Sequence, residues 1–276
     1  MAIVSASDGV ALYAEAHGDG LPLIFSGAFC TTHENWRAQV DPLVEAGARV
    51  ILWDYRGHGR SEGPAEDRAY SIEQVVRDLA AVLDWAVPDQ PAVLVGLSFG
   101  GLASLHFALA EPRRVRALVL VDSGPGFKKA AALESWQAQV ERSAQFLETR
   151  GFEAFVAGRA GATCIGRQPE LPAARAAAAS IVAQDPAAVA RFGRCIAGPA
   201  PAVIDELGDI ESPALVIVGE EDEPYLRAAE VLAAKLPRAR MEVIAGAGHI
   251  VNIEAEAAFN RLLRAFLREL QTKPDA

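Results

Sequence analysis

A chain of 276 residues that is 51% hydrophobic and 22% charged can bury a large soluble core, as one domain or as one domain carrying an insertion. Its 26 basic and 36 acidic residues leave a net charge of −10, which makes a nucleic-acid backbone or an anionic membrane surface a poor partner. No basic leader with an apolar core opens the sequence, and no apolar run nears the roughly 20 residues needed to span a bilayer. A cytoplasmic location is the expectation.

Residues 2–6 and 10–16 are β-like runs, and Ser7-Asp8-Gly9 between them predicts an antiparallel hairpin. Buried strands are expected at 23–25 and 50–53, separated by a helix near Trp36 to Glu45. Ile72, Val75, Val76, Leu79, Val82, Leu83 and Ala86 recur at intervals of three and four, so this segment is a helix with one buried face; Ser71 and Gln74 suit its capping box. Residues 92–95 form an apolar β-run and 102–110 a helix that Pro112 ends. Further strands are predicted at 117–121, 214–218 and 241–244. Phe259, Leu262, Leu263, Phe266, Leu267 and Leu270 then give a final helix its buried stripe, with residues 271–276 as a frayed tail. Strands that alternate with helices imply a mostly parallel sheet covered on both faces.

From residue 124 the strand pattern stops, and an alanine-rich, helix-prone region runs to about residue 210. Leu133, Trp136, Val140, Ala144 and Leu147 share one helix face, and Asp185-Pro186 marks another helix start. This divides the chain into a core of residues 1–123 and 211–276 and an inserted helical cap of residues 124–210. A cap over the carboxyl edge of the sheet implies a lidded, fairly apolar pocket.

The chemistry centres on Gly96-Leu97-Ser98-Phe99-Gly100, where a strand must reverse into a helix within one tight turn. Gly96 and Gly100 remove the clash this turn would cause, and Ser98 is left at a helix N-terminus that favours developing negative charge. No Lys-Ser/Thr pair follows Gly101, so a phosphate-binding loop is set aside. A serine nucleophile needs a base, and the base needs an orienting acid. His249, in the glycine-rich loop after the last strand, is the best base. His33 could border the pocket, while His58 and His106 fit structural positions. The acid is Asp222, within Gly219-Glu220-Glu221-Asp222-Glu223-Pro224, or Asp122 at the end of strand 117–121. Cys30, Cys164 and Cys195 form no C-x-x-C, and the five histidines show no metal-ligand spacing, so no disulfide scaffold, metal or other cofactor is expected.

With Ser26-Gly27-Ala28-Phe29 and Trp36, the Asp54 to Ser61 segment, the Ser98 elbow, Gly219 to Asp222, and Gly248-His249 with Glu254, the chain resembles the α/β-hydrolase superfamily over nearly its whole length. The resemblance implies an α/β-hydrolase fold: a mostly parallel eight-stranded sheet flanked by helices, with an inserted helical cap. Its chain order implies Ser98 as nucleophile, Asp222 as acid and His249 as base, and the oxyanion hole would use the backbone N–H groups of Ala28 and Phe99. Ser26-Gly27 stands where many relatives have His-Gly, which bears on the hydrogen bonding of that loop. A serine at the elbow argues against the epoxide hydrolases and haloalkane dehalogenases of this fold, which carry aspartate there. The overall pattern is most similar to 3-oxoadipate enol-lactonases and related small-ester hydrolases. The expected activity is hydrolysis of a small carboxylic ester or lactone through an acyl-enzyme on Ser98, with Phe29, Trp136 and Ile250 lining the pocket. Carbon-carbon bond hydrolases, cofactor-free perhydrolases or haloperoxidases, and a non-catalytic ligand-binding receptor on the same fold are the alternatives.

Overall fold

The computed structural model describes residues 1–272; the part of the expected tail at residues 273–276 lies outside them. Eight strands form one sheet in the order β1-β2-β4-β3-β5-β6-β7-β8. Ala2–Ser5 (β1) and Ala11–His17 (β2) make the predicted hairpin, and β2 also runs antiparallel to Ala48–Trp53 (β4). Every other pairing is parallel, through Leu21–Ser26 (β3), Ala92–Leu97 (β5), Val115–Val121 (β6), Ala214–Gly219 (β7) and Ala239–Ile244 (β8).

Because side chains alternate along a strand, the central strands feed two cores at once. Leu94, Leu118, Leu120, Val216 and Val218 pack on one face, beneath Ile72–Ala86 (α2), Phe99–Ala110 (α3) and, beyond β7, Glu223–Lys235 (α8). Val93, Val95, Val119, Val121, Leu215 and Ile217 pack on the other, with Arg37–Val44 (α1) and Glu256–Thr272 (α10). The α10 stripe buries Phe259, Leu263, Phe266, Leu267 and Leu270, while Leu262 is partly exposed at its margin. The Ser71 hydroxyl caps α2 by accepting from the Gln74 N–H.

Between β6 and β7 there is no strand among the described residues. The chain instead forms Ala130–Ala157 (α4), Ala162–Ile165 (α5), Pro172–Val182 (α6) and Pro186–Phe192 (α7), followed by a π-helical turn at Gly193–Ala197. In α4 the predicted face splits by depth. Val140, Ala144 and Leu147 are buried, whereas Leu133 and Trp136 are only partly so. The helical path breaks at Gly151, whose φ of +72° suits a residue without a Cβ. Asp185 caps α7 through the Ala187 N–H, with Pro186 at its first position.

Candidate active site at the carboxyl edge of the sheet

Ser98 sits between the end of β5 and the start of α3 with φ +53° and ψ −115°, a left-handed setting that is strained for a residue with a side chain. The neighbouring glycines make the setting possible: a Cβ on Gly96 would run into the backbone of Gly100, and one on Gly100 into the carbonyl of Ser26. The turn is pinned by the Ser98 N–H donating to Val121 O at 2.8 Å and by the Ser123 hydroxyl donating to Ser98 O at 2.6 Å. Phe99 is the first residue of α3, so its N–H has no partner within the helix.

At the end of β7, Asp222 is buried while Glu220, Glu221 and Glu223 are exposed, which separates one acid from its run. The run is no open loop: α8 begins at Glu223 and Asp222 is its N-cap, where the helix dipole favours a carboxylate. Asp222 Oδ2 lies 2.7 Å from His249 Nδ1. That contact leaves Nε2 as the ring's other working nitrogen. Tyr225, in the first turn of α8, lies against the imidazole with ring centroids 4.8 Å apart and planes tilted by 36°, and brings its hydroxyl to 3.5 Å from Ser98 Oγ. Tyr225 carries no motif signal in the sequence, since its place follows only from a helix that the acidic run conceals.

Asp122 ends β6 with φ +43° and is wholly buried. Its Oδ1 accepts from the Gly219 N–H at 2.8 Å, and it contacts Asp222 rather than His249. Burial pushes its carboxyl well above the usual carboxylate range; the Gly219 hydrogen bond opposes this and the charge of Asp222 adds to it. A group so placed stands behind Asp222 and makes no contact with the imidazole.

The loop after β3 has partners that replace any lost by the Ser26-Gly27 departure. The Ser26 hydroxyl accepts from the Trp53 indole N–H at 3.1 Å, and the Tyr55 hydroxyl donates to Gly27 O at 3.1 Å. The Thr31 hydroxyl donates to Ala28 O at 2.9 Å, and the Gln184 amide donates to Cys30 O at 3.1 Å. Cys30 takes φ +71° and donates its N–H to His58 Nε2 at 3.4 Å. Burial drives His58 down to about 4, so the ring is neutral and free to accept that bond.

Ser98, Phe99, Ala28, Asp222 and His249 line one cavity of about 510 Å³, together with Phe29 and Trp136. Ile250 does not line it. Ile250 is fully buried in the core on the α10 side, because the chain turns into Val251–Glu254 (α9) directly after His249 and carries the next side chain away from the cavity. His33 is also absent from the lining. It donates its backbone N–H to Asp54 Oδ1 and pairs its Nδ1 with Asp54 Oδ2 at 2.7 Å. His106 meets Pro201 O at 3.1 Å. The Asp54 to Ser61 segment is a structural knot: Asp54 also accepts from the Arg60 N–H, and buried Arg56 pairs with Asp78 and Asp8. No group of three or more His, Cys, Asp or Glu side chains suited to a metal occurs among the described residues, and no helix there is long and apolar enough to cross a membrane.

A protein of Bacillus subtilis (strain 168) provisionally named 2-succinyl-6-hydroxy-2,4-cyclohexadiene-1-carboxylate synthase is 27% identical over 97% of this chain and 98% of its own. The 2-hydroxymuconate semialdehyde hydrolase of Pseudomonas sp. (strain CF600) is 32% identical over 91% of this chain and 88% of its own. Among solved structures, Est816, described as an N-acyl homoserine lactone degrading enzyme, superposes with a TM-score of 0.74 at 30% identity, covering 96% of this chain and all of that one. A family model for the alpha/beta hydrolase fold matches residues 22–256, and the chain belongs to that family.

Proposed function

We propose that the protein is a serine hydrolase of small carboxylic esters or lactones, working through an acyl-enzyme on Ser98. The observation that carries this reading is the 2.7 Å contact between His249 Nδ1 and Asp222 in the cavity that also holds Ser98 at its strained turn. Asp222 fixes the imidazole so that Nε2 takes the Ser98 proton as Oγ bonds to the substrate carbonyl carbon. The oxygen that becomes negative is met by the N–H groups of Ala28 and Phe99. When the tetrahedral adduct collapses, the carbon-oxygen bond to the leaving alkoxide breaks and His249 returns the proton to it. Water then attacks the acyl-enzyme by the same route, releasing the acid and restoring Ser98. Residues 124–210 serve as the cap that roofs the cavity and selects the acyl group.

A fluorophosphonate probe should label Ser98 stoichiometrically, and Ser98→Ala should abolish labelling and lower kcat on p-nitrophenyl esters by about 10⁴-fold or more. Near wild-type turnover by folded Ser98→Ala protein would overturn the mechanism, and a folded wild-type protein that takes no label would instead be a ligand-binding receptor. The resemblance to a hydrolase named for a semialdehyde, which contains no ester, supports carbon-carbon bond hydrolysis as a second reading. Rapid turnover of a vinylogous diketone with negligible ester hydrolysis would select it.

A further inference from the structure

The two ends of the cavity differ in chemistry. Its floor carries the ionisable pair Asp222 and His249; its walls are largely apolar, with Phe29, Leu102, Phe127, Trp136, Val140 and Phe155 among the lining residues. Neither lysine nor arginine is among the described residues that line it. Of the cations on the same helical segment, Lys129, Arg142, Arg150, Arg159 and Arg175 lie outside the lining, as do those held in ion pairs. Lys128 pairs with Asp205, Arg194 with Glu141 and Glu148, and Arg167 with Glu254 and Glu221. A carboxylate brought into this space would lose its hydration without gaining a cation, and the floor already holds the negative charge of Asp222.

Helix α4 adds a positive criterion. Ala132, Trp136 and Val140 form one row at intervals of four, and Ser135, Gln139 and Ser143 form a second beside it. The first row is apolar and the second is uncharged but able to hydrogen-bond. Ser135 and Gln139 are exposed and Ser143 is partly so, which puts this second row toward the mouth.

We propose that the site accepts an uncharged acyl group, with its apolar or aromatic body against the Trp136 row and any polar substituent a neutral hydrogen-bonding group along the Ser135-Gln139-Ser143 row. This rests on the ester-hydrolase reading of Ser98. It separates the protein from enzymes whose substrate bears a carboxylate, the 3-oxoadipate enol-lactonases included, although the motifs at Ser98, Asp222 and His249 are shared.

Three p-nitrophenyl esters of equal chain length test the inference on the purified full chain: the pentanoate, the glutarate half-ester that replaces its terminal methyl with carboxylate, and the neutral glutaramate. The pentanoate should exceed the glutarate in kcat/KM by about 100-fold, with the glutaramate within about tenfold of the pentanoate. Gln139→Arg should raise the ratio of kcat/KM for the glutarate to kcat/KM for the pentanoate by about tenfold. A pentanoate preference under about tenfold over the glutarate, with all esters turned over, overturns the inference and leaves the hydrolase reading standing. Failure of all three esters sinks the hydrolase reading, and the inference with it.

Discussion

The floor of the cavity and its helical roof are built by different means. On the floor the proposed catalytic groups sit on turns and loops: Ser98 on a left-handed turn between two glycines, Asp222 at the join of β7 to α8, and Ala28 in a loop whose carbonyls at Gly27, Ala28 and Cys30 all have side-chain donors. The roof is alanine-rich helix, broken at Gly151 and tied to the core through side chains, among them the Gln184 amide on Cys30 O, the Asn35 amide on Cys164 O and the Arg167 ion pairs. Geometry held by backbone moves little when one side chain changes, whereas a roof of small apolar residues can be recut by single substitutions. Changes in the floor should therefore act on kcat, and changes in the roof on KM and substrate choice.

The sharpest way to break that division is within the floor itself, where two buried aspartates stand together. Asp222→Asn replaces the carboxylate that accepts from His249 Nδ1 and permits the wrong imidazole tautomer, so kcat should fall by about 10³- to 10⁴-fold. Asp122→Asn keeps an oxygen that can accept from the Gly219 N–H and leaves the Asp222 to His249 contact in place, so it should retain kcat within about threefold. The reverse ranking of the two variants would reassign the orienting acid.

A smaller effect should arise where loop and histidine meet. Burial lowers His58 from an ordinary 6.5 to about 4, so the unfolded chain binds a proton there before the folded one does. Stability from this neutral ring is present above pH 6.5 and is lost as the pH falls toward 4, by roughly 3 kcal/mol over the window. His33 works in the opposite direction. Burial disfavours its charge, but the Asp54 hydrogen bond, with the charges of Asp54, Glu34 and Glu15, leaves its pKa raised; its contribution is complete below pH 6.5 and fades as the pH rises through the folded value. The difference in unfolding free energy between wild type and His58→Gln isolates the first ring. That difference should shift in favour of the variant by a few kcal/mol between pH 6.5 and 4, as urea titrations would measure. A constant offset across that range would mean that His58 is not held neutral by the fold.

How far the sequence exposes this site depends on whether a residue's role is local. The elbow is legible because its glycines and its strand-to-helix switch lie within five residues, and the central strands are legible because burial on both faces makes them continuous apolar runs. The edge strand β8 begins two residues earlier than its hydrophobic pattern, since Ala239 and Arg240 are half-exposed and carry no apolar signal. Helix α8 is masked by the acids before it, and Tyr225 with it. Ile250, expected at the pocket, is instead turned into the core by the start of α9. Gln184 donates to the backbone of Cys30, 154 residues away, and Glu254 pairs with the Arg167 side chain of the helical segment, 87 residues away. Such partnerships have no periodicity to betray them.

The last contrast concerns the clamp between roof and floor. Arg167 bonds Glu254 at 2.7 Å, Glu221, and Gly246 O at 2.8 Å, while Glu254 also accepts from the Gly248 N–H at 3.0 Å beside His249. The pair with Glu221, itself 53% exposed, is screened and worth at most about 1 kcal/mol, whereas Glu254 is only 1% exposed and loses its cation when Arg167 is removed. Arg167→Met should lower Tm by several degrees. Because Glu254 keeps its bond to the Gly248 N–H, the His249 loop should hold its shape and kcat should change by less than about twofold; the helices it ties down should loosen, raising KM by a few-fold. Added salt should reproduce the KM change in wild type and leave the variant nearly unmoved. A large fall in kcat with KM unchanged would place Arg167 with the floor, and the division between a backbone-fixed floor and an adaptable roof would have to be redrawn at that residue.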